Sequence, residues 1–537
     1  MVTSSGADDE CDGKGACSDV HEALYLLAKR DAVVYDHAAL KWKCSVPAKT
    51  KVETRFGKRW KVVCLVVRSH DGTLVCSHPC GTAYLAAFTV VETREGNFVD
   101  TALVLQTSCT ADENFGGRIS ELWHTPNILT PVRVLDLRGS SIDLEAMTQL
   151  SRGLTTNRFV TTLSLSGNHL QDGDVALLAS ALVHNGCLLE LTLSYNAIGE
   201  VGSTSLAKAL TMNSHLQVLD LMHNRIGKDG IMPWLGDTMR VNNALRELKL
   251  NHNAIGDKKT VDLFQSLAPK ALTDEEQLKA RIASRRHTSI PESHEDNEPF
   301  NSTLTTLLLS NTGISDEAST PLAHMLSHTH SLTHLDISCN DFTSEGNVTI
   351  ARGLQRNVSI RYLNYRENKL DEVAALEILR ALTVSSSVET VLFQDCFESE
   401  STVGSALGQL TKNTHSLVTL DLSHCSLGPP GVVEFYHALA VNASLRSVDL
   451  TCSGLKSDTA AGILAKSLQQ NNTLTFVNLA YNEITLRGCK LLRDGVAARS
   501  EKAARLVLSL EGNSGEKCPT GTVITGGMRP VRPPLIN

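Results

Sequence analysis

Aliphatic positions recur along this chain with a period of 28 or 29 residues, from Val132 to beyond Asn482. Aligned copies read LxxLxLxxNxL, as in Leu188, Leu191, Leu193, Asn196, Ile198 and again in Leu216, Leu219, Leu221, Asn224, Ile226. Successive copies begin at Val132, Val160, Leu188, Leu216, Leu245, Leu304, Leu332, Ile360, Val388, Leu417, Leu445 and Leu474. A worn last copy ends at Leu508, Leu510 and Asn513, giving roughly thirteen repeats. Such a period predicts stacked supersecondary units, none of which buries its apolar face alone.

Each copy has two halves. The first, such as Leu219-Asp220-Leu221, alternates in and out and predicts a short strand. The second, such as Ser205-Leu206-Ala207-Lys208-Ala209-Leu210, has helical spacing and strong helix formers. An Asn often follows the helix, at Asn157, Asn185, Asn213, Asn242, Asn357, Asn413, Asn442 and Asn471. The left-handed conformation that Asn tolerates is the expected reason. Gly173, Gly202, Gly230 and Gly346 are expected to precede helices. A second Asn column (Asn168, Asn196, Asn224, Asn253, Asn340, Asn368, Asn482) is expected to bind backbone groups of the neighbouring repeat through its amides. Ser140, Thr312, Cys396, Cys425 and Ser453 substitute in it. The fold class expected is α/β, a leucine-rich-repeat solenoid over 126–516 with its strands on the inner wall.

One step is 59 residues, one repeat plus a charged insertion at 272–301. Arg285 and Arg286 precede Thr288 there, which makes Thr288 a candidate phosphorylation site beside an acidic run. Residues 19–125 read as a small α+β, mostly β, domain. A helix is expected from Asp19 to Arg30. Strands are expected at Lys51–Phe56, Trp60–Val67, Thr73–Cys76, Tyr84–Thr93 and Phe98–Thr107, split by Gly57-Lys58, Asp71-Gly72 and Gly96-Asn97. Its opening resembles a pleckstrin-homology domain in Arg59-Trp60-Lys61 and Asp71-Gly72-Thr73-Leu74. Residues 1–18 read as a disordered N-terminus and 517–537 as a Pro-rich tail.

Composition narrows the function classes. The chain has 537 residues, 42% of them hydrophobic and only 4% aromatic, which suits a core of aliphatic side chains. A net charge of -8 argues against a general nucleic-acid binder. No run of 18 apolar residues predicts a membrane span, and the first residues lack a secretory pattern. The 14 cysteines are therefore expected as free thiols in a reducing, cytoplasmic setting. Cys76-Ser77-His78-Pro79-Cys80 invites a zinc reading but lacks a second knuckle, so no metal and no cofactor are expected. No Walker loop, GxSxG or HExxH is present, and no catalytic residue is expected.

Binding is then the expected task, with one or more proteins as partners. Outward strand positions supply the candidates: Glu190, Asp220, Met222, Lys249, Asp336, Tyr362, Arg366, Asp421, Phe476 and Tyr481. Aromatic and Arg anchors dominate interface energies, which favours Tyr362, Arg366, Phe476 and Tyr481. The Asp column reads either as a dock for a basic partner or as ordinary repeat usage. Lys49, Lys51, Arg55, Lys58, Arg59 and Lys61 form a basic island that would suit an anionic surface.

The repeat length, the full helix per repeat and the alternation of Asn with Cys, Ser or Thr resemble the ribonuclease-inhibitor-like subclass of leucine-rich repeats. A small N-terminal domain followed by such repeats is similar to the leucine-rich subunit of the axonemal dynein regulatory complex. That resemblance implies a scaffold on a microtubule-based, flagellar structure. Ran GTPase-activating proteins share the repeat type but usually end in an acidic tail, unlike the Pro-rich end here. A ribonuclease-inhibitor-type inhibitor is a further alternative that the acidic column permits.

Overall fold

The computed structural model describes residues 132–139, 142–158, 160–227, 234–270, 300–397 and 401–513, together with the backbone of short strands within 2–107 and at 523–524. The expected helix from Asp19 to Arg30, most of the insertion and Gly230 lie outside the described residues. The chain forms two compact units: Met1–Trp234 with Asn242–Asn253, and Leu235–Val241 with Ala254–Asn537.

In the first unit five strands pair in parallel: Val132–Asp136, Thr162–Ser164, Glu190–Thr192, Val218–Asp220 and Glu247–Lys249. Each return passes through a helix where one is described: Leu144–Thr156, Asp172–Leu182 and Glu200–Leu210. Register is set by the repeat, so Leu163 pairs with Leu191, and Leu191 with Leu219. Strand Phe98–Thr107 lies parallel beside Val132–Asp136 and antiparallel beside Tyr84–Glu92.

The second unit pairs eight strands in parallel, at Thr306–Leu308, His334–Asp336, Tyr362–Asn364, Thr390–Leu392, Thr419–Asp421, Ser447–Asp449, Phe476–Asn478 and Val507–Ser509. Its repeat helices run from Gly256–Ser266 to Leu486–Ala497. Two tail residues, Val523–Ile524, pair antiparallel with Val507 and Leu508. The middle residue of each three-residue strand points inward, and Leu163, Leu191, Leu307, Leu335 and Leu363 are fully buried. Burying one such leucine contributes about 1.5–3 kcal/mol, and here both neighbouring repeats share in it. The described residues thus form the α/β leucine-rich-repeat solenoid fold that the period predicts, with thirteen ladder strands among them.

The Asn column works as expected. Asn196 Oδ1 accepts the backbone N–H of Asn168 at 2.9 Å and of Leu170 at 3.0 Å, while its Nδ2 donates to Leu165 O and Leu193 O. The amide therefore satisfies buried backbone groups in its own repeat and the preceding one. Cysteines keep half of this function: Cys396 Sγ donates to Tyr365 O at 3.0 Å and Cys425 Sγ to Phe393 O at 2.9 Å. Burial holds both thiols protonated, pushing Cys425 up to about 11 and Cys396 well above its usual range. Cys339 and Cys452 differ: they are half-buried turn residues.

Three expectations about local structure need correction. The Asn that follows each helix is not left-handed; Asn157, Asn357, Asn442 and Asn471 all have extended backbone. Their side chains explain them instead. Asn213 Nδ2 donates to Leu182 O at 2.7 Å, one repeat back, and its Oδ1 accepts the N–H of His215 and Leu216. The left-handed residue is the one just before each Asn-column position. Gly139, Gly167, Tyr195, His223, His252, Asn311, Cys339, Glu367, Asp395, His424, Cys452, Tyr481 and Gly512 all have φ between 51° and 68°.

The second correction concerns Gly173, Gly202 and Gly346, which lie inside the first helical turn. A Cβ on Gly202 would stand 2.6 Å from Asp172 Oδ1. That carboxylate accepts the Gly199 N–H at 2.6 Å, so it closes the start of the next helix. Thirdly, Asn301 is not part of the insertion. Its Nδ2 donates to Met239 O and its Oδ1 accepts the Thr303 and Leu304 amides, the pattern of Asn213.

Candidate functional site

The outward residues of each short strand and the turn after it form one face of each unit, opposite the helices. Alternation places these side chains there: in Glu190–Thr192 and Val218–Asp220 only the middle leucine is buried.

The Asp column serves the turns first. Asp220, Asp336, Asp421 and Asp449 each accept the backbone N–H two residues on, at 2.9–3.0 Å. An Asp at this position ends the strand by an Asx-type turn, which accounts for the recurrence of Leu-Asp-Leu. Asp336 and Asp421 are buried, and Asp136 is bound by the Arg138 guanidinium at 2.7 Å. Asp220 is half-buried, with its carboxyl pushed up by burial against the opposing pull of the Met222 amide and Lys249.

In the second unit several candidates converge. Tyr362 stacks on His334, ring centroids 5.6 Å apart at 22°. Arg366 reaches across the intervening strand Thr390–Leu392 to donate from Nη2 to Asp421 Oδ2 at 2.7 Å, and its buried Nε has no hydrogen-bond partner. Burial, aided by Asp336, pushes the Tyr362 phenol up. The result is a half-buried aromatic ring beside a charge-paired guanidinium, with an imidazole stacked on it. Phe476 is half-buried on its own strand. Tyr481 is not on a strand; it occupies a left-handed turn and is 56% exposed.

The first unit places Glu190, Asp220 and Lys249 half-buried on neighbouring strands, with Met222 half-buried just past one of them. Lys249 Nζ lies 3.3 Å from Glu247. Beside them runs a feature that strand-by-strand reading misses. Tyr195, His223 and His252 occupy successive left-handed turns, and their rings stack at 4.2 and 4.0 Å with interplanar angles of 14° and 13°. The signal was present in the sequence as the residue preceding each of Asn196, Asn224 and Asn253.

Lys49, Lys51, Arg55, Lys58, Arg59, Lys61 and Thr288 have side chains outside the described residues, as do Cys76, His78 and Cys80. Among the described residues no helix is long and apolar enough to cross a membrane. Nor do three metal-ligating side chains come together among them.

Comparison with known proteins agrees with the fold. Six segments, 156–179, 213–233, 241–258, 328–351, 413–435 and 470–492, match the family model described as Leucine Rich repeat. A stretch of 196 residues is 29% identical to the human protein named "NACHT, LRR and PYD domains-containing protein 5", covering 36% of this chain and 16% of that protein. Among solved structures, the yeast Rad7 and Elc1 complex is similar at 16% identity and a TM-score of 0.40, over 71% of this chain and 82% of that one. Leiomodin-1 Actin-Binding Site 2 is similar at 17% identity and a TM-score of 0.23, over 33% of this chain and 99% of that one. Likenesses this loose carry no argument beyond the geometry already described. The chain carries leucine-rich repeats, a scaffold that presents surfaces to other proteins.

Proposed function

We propose that this protein is a non-enzymatic interaction scaffold, and that the strand-side face of its second unit docks a protein partner around Tyr362. The observation that carries this reading is the cluster of His334, Tyr362 and Arg366 beside Asp421. Interface energy concentrates in such half-buried aromatic and Arg anchors, ringed by groups that exclude water. The face is built from rigid ladder strands, so a partner binding there has little ordering of the scaffold to overcome.

Affinity capture with the full chain tests it. Tyr362→Ala removes the ring without touching the Arg366–Asp421 pair and lowers partner affinity by about 2 kcal/mol or more, roughly thirtyfold. Arg366→Ala also leaves the buried Asp421 without its counter-charge, so its effect is read only after a folding control. Unchanged capture by a folded Tyr362→Ala protein overturns the reading.

The finer placement on a microtubule-based axoneme, which the resemblance implies, is tested by tagging the endogenous protein. Signal along axonemes supports it and diffuse signal removes it. The small-GTPase regulator and ribonuclease-inhibitor alternatives have no residue of this cluster to favour them.

A further inference from the structure

The Tyr195–His223–His252 column ends abruptly. The two turns before Tyr195 place glycine at the same left-handed position, Gly167 and Gly139. A Cβ on Gly167 would meet only Gly139 N, at 4.0 Å, and one on Gly139 would meet nothing within 4 Å. The ring that would continue the stack has no side chain to supply it, and Tyr195 is 59% exposed. Ser166 and Ser194, each one residue before its turn, have hydroxyls 3.0 Å apart at the edge of this slot.

Charge selects among planar occupants. Among the described side chains of this unit, the outward strand residues carry four carboxylates, on Asp136, Glu190, Asp220 and Glu247, against Lys249 on a strand and Arg138 in the turn after one. Asp220 sits beside the column, interacting with Ser194 and His223. An aromatic column with an acidic flank favours a planar cation over a neutral ring, because the tyrosine face attracts cations and Arg stacks as well as pairs.

We propose that this column is a second interaction surface, where a protein partner inserts an arginine whose guanidinium stacks on Tyr195 over Gly167. The inference rests on the docking reading only in taking the partner to be a protein. Its position makes it pH-dependent. His223 faces Tyr195, His252 and Asp220, with Lys249 acting on Asp220, and His169 stands two residues beyond Gly167. Burial and His252 lower His223, with Asp220 opposing, so the His223 ring is uncharged at neutral pH. Acid makes it cationic, and it then repels a guanidinium.

The test uses the full chain with isotope-labelled tyrosine and histidine rings, titrated with N-acetyl-arginine amide and followed by NMR. The expected result is saturable shifts of the Tyr195 and His223 rings at neutral pH, weaker shifts with N-acetyl-lysine amide, and their loss once acid protonates His223, below the ordinary histidine range. Tyr195→Ala, at an exposed turn, abolishes the remaining His223 response. No arginine response, a response to N-acetyl-tyrosine amide alone, or arginine shifts that persist in acid overturns the proposal. Any of these leaves the Tyr362 site untouched, since that residue belongs to the other unit.

Discussion

Replacing Asn340 by Ala removes one link of the amide ladder and nothing else. In the native protein Asn340 Oδ1 accepts the Thr312 and Ile314 amides, each at 3.2 Å, and Nδ2 donates to Leu309 O at 2.9 Å and Ile337 O at 3.0 Å. These groups are buried, so the alanine protein leaves two N–H donors without their acceptor, while Leu309 O keeps the Thr312 hydroxyl and Ile337 O keeps the Asn368 amide as donors. An orphaned buried group costs about 1–3 kcal/mol, and water entering the small gap returns part of that. For the two orphaned amides the expected destabilisation is about 2–4 kcal/mol. Asn340→Cys should cost somewhat less, because a thiol fills part of the gap and still donates to the upstream carbonyl, as Cys396 does to Tyr365 O. Asn340→Asp should cost most, since a carboxylate there faces carbonyl oxygens with no proton to give. Urea unfolding gives the energies. Hydrogen exchange at Thr312 and Ile314 shows that the loss is local, which matters because repeat arrays can unfold in parts. A cost below about 1 kcal/mol for Asn340→Ala, or tolerance of Asp, would refute the ladder as the device that joins repeats.

Three further outcomes follow from the same geometry. Gly353→Ala places a methyl 2.6 Å from the Ala323 Cα and carbonyl oxygen of the neighbouring helix, and should cost about 1–3 kcal/mol in thermal or urea unfolding; an unchanged midpoint contradicts the packing. Cys396 and Cys425 should resist alkylation in the native protein and react only after unfolding, as read by mass spectrometry, because burial keeps both thiols protonated; rapid native labelling of either refutes this. His324 is lowered by burial and by His328, so its contribution to stability is present above the ordinary histidine value of about 6.5 and is lost as pH falls below it. His324→Gln should therefore flatten the decline in urea midpoint between about pH 7 and pH 5, and an equal slope in both proteins would count against it.

The fold was legible because the core is aliphatic and strictly periodic. Leu163, Leu191 and Leu219 must face inward for any one of them to be buried, and that leaves strand register no freedom. The turn chemistry was only half legible. A left-handed backbone is the common reason for Asn at a helix end; here Asn357 and Asn442 stay extended and act through their amides. The left-handed position falls on a variable residue, so Tyr195, His223 and His252 share a column without sharing a residue type. Periodic patterning of hydrophobic positions passes over such a position, because its requirement is a backbone angle rather than burial. The Asp column was visible, but its turn-forming bonds were not, since they depend on the N–H two residues on. Tyr362 and Arg366 stood out by size alone; their placement beside His334 and Asp421 depends on register across four strands.

The docking reading meets its most direct measurement in site-specific photocrosslinking with the full chain in its native cell. A photoreactive phenylalanine analogue at Tyr362 reports on the strand-side face, and the same analogue at exposed Val373 reports on a helix of the same unit. Discrete protein adducts from position 362, absent from position 373, are the result this account predicts. Adducts from position 373 with none from position 362 would contradict it.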